Sequence, residues 1–424
     1  MEFTKGAHVG KSGDDVVTLA VVGAGMRGRE YARLAEESGR GRVVAVAEPD
    51  PARRSAFRRT YAVEPAATFA SWEELGAAGR LADVAVVTTQ DRMHADPAVL
   101  LAGQGYHLLL EKPMAPTEGE ARRIAEAVEA AGVIGAVCHV LRYTSYTRAL
   151  KELIDSGRLG RLVNVQHLEP VGWWHQAHSF VRGNWRNTAE SGPMLLTKSC
   201  HDLDWLAYLL GETPASVASF GGLTHFHPGE RPAGAADRCL DCAVESSCPY
   251  SAVRLYLGCL EDDDRAHWPL GAVTGERSEP AVLQALRSGP YGRCVYDCDN
   301  DVVDNQVVAM QYASGLTATF TMTAFTPMQR RQTRLFGSHG CVEGDGRFLH
   351  VTDFRTGATE KVDTGSTGEA GHDGGDAGLV EALLAAVAAG DPTRLSSDMA
   401  ASLASHRVVW AAERARLTRS VVTL

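Results

Sequence analysis

Residues 16–50, VVTLAVVGAGMRGREYARLAEESGRGRVVAVAEPD, decide the fold. The apolar run Val16–Val22 predicts a strand, and helical spacing follows over Met26–Ser38. Between them lies Gly23-Ala24-Gly25-Met26-Arg27-Gly28. In a GxGxxG loop the first glycine permits a tight turn and the second lets backbone N–H groups approach a pyrophosphate. The third lets helix and strand pack closely, and the helix N-terminus favours the anion. Val43–Ala47 predicts a second strand that ends at Glu48, about 20 residues beyond Gly28. A carboxylate there accepts hydrogen bonds from ribose hydroxyls and repels a 2′-phosphate, which favours NAD over NADP. Arg53 and Arg54 follow closely and soften that preference. The competing interpretation is a Gly-rich turn beside a surface glutamate. Strand, loop, helix and acid in register favour the dinucleotide.

Outward from this unit the alternation continues. An Arg-rich helix is expected from Pro51 to about Tyr61, a strand over Ala82–Thr88, a helix over His94–Gln104 and a strand over His107–Leu110. Thr117 with Glu120 forms a capping box for a helix to Ala131, and Val133–Cys138 predicts one more strand. Continuous apolar strands alternating with helices imply a parallel sheet covered on both faces. Past residue 140 the pattern changes. Arg161–Glu169 and Asp304–Thr323 alternate as half-solvated antiparallel strands do. A helix is expected near His201–Leu210, another near 280–287, and two more over Ala377–Ala388 and Ser397–Thr418. The expected organisation is a flexible tail at 1–15, a dinucleotide-binding domain at 16–140, a substrate and oligomerisation domain at 141–396, and a C-terminal helix at 397–424. The second domain holds a Cys-rich insertion at about 224–300.

The totals fit an ordinary globular protein: 424 residues, 45% hydrophobic and 22% charged. A net charge of −10 argues against nucleic acid or an anionic membrane as partner. No apolar run approaches the roughly 20 residues of a membrane helix, and no leader-like apolar segment opens the sequence. Nine cysteines, mostly clustered or in core-like positions, suggest reduced thiols and a cytoplasmic location.

LLLEKPMAP, residues 108–116, ends a core strand on Glu111, Lys112 and Pro113. Ligands of doubly wound sheets sit at the carboxyl ends of the strands, so Lys112 is placed to face the nicotinamide and a substrate beside it. Pro113 fixes the departing backbone. The alternative is a salt bridge on the rim, worth little.

Together with GAGMRG and the acid ending the second strand, TTQDRMHADPAVLLAGQGYHLLLEKPMAPT (88–117) and SCHDLDWLAYLLG (199–211) resemble the Gfo/Idh/MocA oxidoreductases over nearly the whole chain. The resemblance implies an α/β fold: an N-terminal Rossmann domain and a C-terminal α/β domain with a large open, mainly antiparallel sheet. It implies hydride transfer between NAD(P) and a hydroxyl carbon of a sugar, glycoside or cyclitol, and a homo-oligomer, dimer or tetramer, built on the exposed face of that sheet. Lys112 takes the place of the family's EKP lysine, hydrogen-bonding the reacting hydroxyl, with Glu111 tuning it. His201 takes the place of the general base. The expected cofactor contacts are Gly23, Gly25, Met26, Arg27, Gly28, Glu48, Thr88, His94, Glu111 and Lys112. One departure stands out. Where many members carry an Asp one helical turn before the histidine, this chain has Thr197, which holds no charge. Lys198 follows as a polar contact to substrate or a second cation near Lys112.

GWWHQAHSFVRGNWRN (172–187) sets aromatic faces beside amide and guanidinium groups, as a carbohydrate site does. Trp174, His175, His178, Arg182, Asn184 and Trp185 are its candidate substrate contacts, joined by Arg142 and Tyr143 from just beyond the last Rossmann strand. A structural aromatic cluster is the alternative. His372, in GHDGGD (371–376), is either a loop residue or a neighbour of substrate. Cys239, Cys242 and Cys248 suit a structural zinc, with the fourth ligand open among Cys259, Cys294, Cys298, His225 and His227. Free thiols, an iron–sulfur centre and a disulfide are the alternatives. Cys138 and Cys200 fit small core positions. Two rival functions share these features: an NAD-dependent redox-assisted glycosidase or glycoside 3-oxidase, and a non-catalytic NAD-binding sensor.

Overall fold

The computed structural model describes residues 16–366 and 372–424. The expected tail at 1–15 lies outside the described residues. By packing, the chain falls into two compact units, each discontinuous in sequence. One takes the described residues up to Glu152 together with Cys200–Thr213 and Gly365–Arg407. The other takes Leu153–Ser199, Pro214–Thr364 and Val408–Leu424.

The first unit is built on six parallel strands in the order β3-β2-β1-β4-β5-β6. These are β1 (Val17–Val22), β2 (Gly41–Ala47), β3 (Thr68–Phe69), β4 (Val84–Val87), β5 (His107–Leu110) and β6 (Gly135–Val137). The helices between them are α1 (Met26–Glu37), α2 (Pro51–Thr60), α3 (Trp72–Ala77), α4 (Ala95–Gly103) and α5 (Glu118–Ala131). All four residues of β4 are buried, as a sheet covered on both faces requires. The capping box forms at α5: Thr117 accepts the Glu120 N–H at 3.3 Å and donates to its carboxylate at 2.7 Å. Gly132 ends the helix in the left-handed region at φ 64°. The expected strand at 133–138 is shorter at both ends, because Val133 and Cys138 lie outside the ladder.

Later chain completes this unit. α6 (Ser145–Asp155) follows β6. α7 (Trp173–His175), α8 (Met194–Thr197), α10 (Ala252–Leu257), α11 (Asp263–His267) and α12 (Glu279–Ser288) belong to the second unit. α9 (Cys200–Leu210), α13 (Gly375–Ala389) and the start of α14 (Met399–Thr418), up to Arg407, belong to the first. Leu379, Val380, Leu383 and Leu384 of α13 share one core with Val21 of β1, Val46 of β2 and Val86 of β4. The sequence of α13 is apolar almost all round, as suits a helix packed on several sides.

The second unit carries a nine-stranded sheet in the order β14-β13-β12-β11-β7-β10-β9-β8-β15. Its strands are β7 (Leu162–Pro170), β8 (Ser216–Gly222), β9 (Asn305–Gln311), β10 (Thr317–Thr323), β11 (Gln332–Gly337), β12 (Gly340–Gly344), β13 (Phe348–Asp353), β14 (Thr359–Asp363) and β15 (Val422–Thr423). Only β7 and β10 pair in parallel. Every second residue of β9 and β10 is buried, the alternation of a sheet with one solvated face.

Candidate active site

The glycine loop behaves as its spacing predicts. Gly23 has φ +95°, and a Cβ there would stand 2.8 Å from the Thr88 carbonyl oxygen. A Cβ at Gly28 would stand 2.0 Å from the Gly23 carbonyl oxygen. Gly25 differs: it is the N-cap of α1, without a side-chain cap, and a Cβ on it meets nothing within 4 Å. The chain at this helix N-terminus is uncrowded, an arrangement that fits a diphosphate. Two expected cofactor contacts also brace this loop. Buried Glu48 accepts the Ala24 N–H at 2.8 Å and the Asp50 N–H at 2.9 Å. The Thr88 hydroxyl donates to the Gly23 carbonyl at 2.7 Å.

At the end of β5 the buried Glu111 carboxylate accepts from Arg27 Nε at 2.6 Å, from the Tyr31 hydroxyl at 3.0 Å and from the Lys112 N–H at 2.6 Å. Burial raises its pKa, but Arg27, Lys112 and these hydrogen bonds outweigh it, and the carboxyl stays below its ordinary range. Arg27, expected among the cofactor contacts, has its guanidinium on Glu111, Asp376 and Tyr31. Its part is to tie the glycine loop to the strand end. The Lys112–Pro113 peptide is cis. His94, the other expected cofactor contact, is fully buried. Its ring nitrogens face the carbonyl oxygens of Pro113 at 2.8 Å and Thr89 at 3.1 Å, so it fixes the two loops rather than presenting a ring edge to a ligand.

His201 lies in the first turn of α9, in the same compact unit as Lys112. Its Nε2 stands 3.4 Å from the buried Asp202 carboxylate. Thr197 leaves no acid one turn earlier, and Asp202 supplies the imidazole with a neighbouring negative charge. Beside His201, burial pushes the Cys200 thiol up to about 12, with the Lys112 ammonium opposing the rise. Burial also holds His139 down to about 3 and His406 to about 4.

Local patterns missed His406 and Asp204. His406 Nε2 accepts the Met114 N–H at 3.1 Å, and its Nδ1 donates to the Ser402 carbonyl at 2.7 Å. It anchors the chain just past Lys112 from 292 residues away, so no neighbouring residue could have signalled it. Asp204 was visible only as part of the SCHDLD string.

Other expected substrate contacts lie elsewhere. Arg142 is buried, gripping Asp204 with Nε at 2.7 Å and Nη2 at 2.6 Å and donating its Nη1 to the Ser396 carbonyl. The Tyr143 hydroxyl accepts the Ser396 and Ser397 N–H groups at 3.2 Å. These two residues fasten the segment before α14. Lys198 is no unpaired cation, since its Nζ stands 2.9 Å from Glu169, which also meets Arg331 at 3.0 Å.

The aromatic stretch is largely structural. His178 is buried, bonded to the Tyr256 hydroxyl at 2.7 Å and stacked on Tyr291. Trp174 and His175 pack on Trp268, and Trp185 lies against Phe180. Arg182 is buried among the cysteines of the insertion. Asn184 and Trp185 remain exposed. None of the nine cysteines forms a disulfide. Among the described residues no three His, Cys, Asp or Glu side chains are arranged around a point where one metal ion would sit. Zinc at Cys239, Cys242 and Cys248 has no support from this geometry.

Two family descriptions cover this chain. "Oxidoreductase family, NAD-binding Rossmann fold" matches residues 17–139, and "Oxidoreductase family, C-terminal alpha/beta domain" matches residues 151–396. The chain belongs to the Gfo/Idh/MocA oxidoreductases. Among its relatives, 2,7-anhydro-N-acetylneuraminate hydratase of Mediterraneibacter gnavus is 28% identical over 267 residues, 63% of this chain and 66% of the relative. The chain spans between 55% and 66% of the length of three curated family relatives. Two Gfo/Idh/MocA-like structures share the fold. An oxidoreductase domain protein from Kribbella flavida has TM-score 0.72 at 17% identity, covering 97% of this chain and 99% of that one. A levoglucosan dehydrogenase solved with NADH and levoglucosan has TM-score 0.69 at 16% identity, covering 96% and 99%. Among the described residues no helix is long and apolar enough to cross a membrane.

Proposed function

We propose that this protein is an NAD-dependent dehydrogenase acting on a hydroxyl carbon of a sugar, glycoside or cyclitol. The observation that carries the proposal is that one compact unit holds the open glycine loop, Lys112 at the end of β5 and His201 at the start of α9. Gly25 and the first turn of α1 would hold the diphosphate. Glu48 would meet the adenosine ribose, its carboxylate disfavouring a 2′-phosphate. Bound NAD supplies the hydride acceptor. Lys112 hydrogen-bonds the reacting hydroxyl and stabilises the negative charge that grows on its oxygen. His201 takes the hydroxyl proton, and Asp202 favours the imidazolium that results. Glu111 holds the Lys112 main chain in place.

Family membership supports this reading, as does the levoglucosan dehydrogenase neighbour with its NADH. Cysteines without disulfides suit a reducing cytoplasm. Phe220 and Val307, paired across β8 and β9, are exposed apolar residues and support self-association through that sheet face.

The test is a screen of pyranoses, glycosides and inositols for NADH formation, with aglycone release followed in parallel. Lys112→Ala is expected to lower kcat about 100-fold or more while NAD binding is kept. NAD binding without turnover of any substrate, or aglycone release without net NADH, would overturn the proposal.

A further inference from the structure

The Cys-rich insertion folds around a small, partly open cavity. Four thiols line it: Cys239, Cys242, Cys248 and Cys294. Two chain segments bring them together. Cys239 and Cys242 flank one short turn, with the Cys242 N–H bonded to the Cys239 carbonyl. Arg238 pairs with Arg293 in an isolated antiparallel bridge, and the Cys294 N–H donates to the Asp237 carbonyl at 2.8 Å. This sets Cys294 beside Cys239.

The other ligands left open by sequence are engaged elsewhere. Cys259 donates to the Leu255 carbonyl at 3.1 Å and Cys298 to the Cys294 carbonyl at 3.2 Å. His225 pairs with the Tyr296 hydroxyl at 3.1 Å, and His227 with the Thr224 carbonyl at 3.2 Å. None of these four lines the cavity.

An independent observation points to an anion in this cavity. Arg182 also lines it and is 1% exposed. Its Nε donates to the Arg293 carbonyl at 2.7 Å, and its Nη2 to the Tyr250 carbonyl at 2.8 Å and the Cys239 sulfur at 3.5 Å. Its Nη1 is buried without a hydrogen-bond partner among the described residues. A buried guanidinium without a countercharge is costly. A metal centre bound by four thiolates carries net negative charge and supplies one.

The arrangement of the thiols favours a cluster over a single ion. Tetrahedral zinc draws four sulfurs to about 2.3 Å from one point, and among the described residues no three ligands are arranged around such a point. An iron–sulfur cluster places iron and sulfide between its cysteines, so the thiolates ring a volume. We propose that Cys239, Cys242, Cys248 and Cys294 bind an iron–sulfur cluster that pins the insertion, with Arg182 as its countercharge.

The test is iron, zinc and acid-labile sulfide analysis of the full chain purified without oxygen, with visible absorption spectra. The expected result is iron and sulfide in equal amounts, about four of each per chain for a cubane cluster. Cys294→Ser should abolish the iron–sulfide absorption, while Cys298→Ser keeps it. If Cys294→Ser does not fold, the wild-type analysis and reconstitution of the apoprotein with iron and sulfide decide. Stoichiometric zinc without sulfide, metal-free protein that cannot be reconstituted, or clusters retained in a folded Cys294→Ser protein would each overturn the proposal.

Discussion

Replacing His406 by Leu should change stability in a way that depends on pH. In the native protein the imidazole must be neutral, because Nε2 accepts from the Met114 amide while Nδ1 donates to Ser402. Leu removes the acceptor and leaves a buried N–H without a partner, at a cost of about 2 kcal/mol. The opposing effect comes from protonation. Burial holds His406 at about 4 against an ordinary 6.5, so the unfolded chain binds the proton first. A folded pKa below the unfolded one leaves stability intact above the unfolded value and lowers it as pH falls toward the folded value. The loss reaches about 3 kcal/mol once pH is below about 4, and about 2 kcal/mol at about pH 5. The leucine variant has no such loss at this site. Wild type should therefore exceed the variant by about 2 kcal/mol at about pH 7.5, and the gap should close near pH 5. Urea titrations of both proteins at the two pH values, with Met114 amide exchange as a local probe, measure it. An equal gap at both values would refute the reasoning, since His406 would then take up its proton as readily folded as unfolded.

Arg142→Leu leaves Asp204 buried without its bidentate partner and should cost about 3–5 kcal/mol. Thermal melts check it, and an undiminished melting temperature would return Arg142 to the substrate contacts. Glu48→Gln keeps an acceptor for the Ala24 amide but removes the charge, so the preference for NAD over NADP should narrow about tenfold, the size of one charged hydrogen bond. Steady-state kcat/KM with both cofactors reads this directly. His201→Ala should lower kcat by about 100-fold or more and flatten the acidic limb of the rate profile. A profile of unchanged shape would remove His201 from the proton-transfer role.

The first sheet was legible because its signals are local. Continuous apolar strands, glycines at fixed offsets and the Thr117 capping box each act within a few residues of one another. The anchoring of Arg142 was not legible because its partners lie 62 and 254 residues away. Position beyond a strand suggested a cleft, while a distant carboxylate had already claimed the guanidinium. The 172–187 stretch misled for another reason. Tryptophan, histidine and arginine together describe both a sugar platform and an aromatic core, and the rings that pack on them, Trp268, Tyr256 and Tyr291, come from the insertion. The fourth thiol was beyond counting rules, since Cys294 reaches Cys239 through a backbone bridge rather than by spacing.

The helix α13 has a consequence for biosynthesis. Its leucines and valines fill the core shared by β1, β2 and β4, yet they are translated some 350 residues after β1. An emerging nascent chain therefore exposes one side of its earliest sheet until synthesis is nearly done. Chaperone dependence during translation, and insolubility of fragments cut before residue 375, follow from that order of delivery.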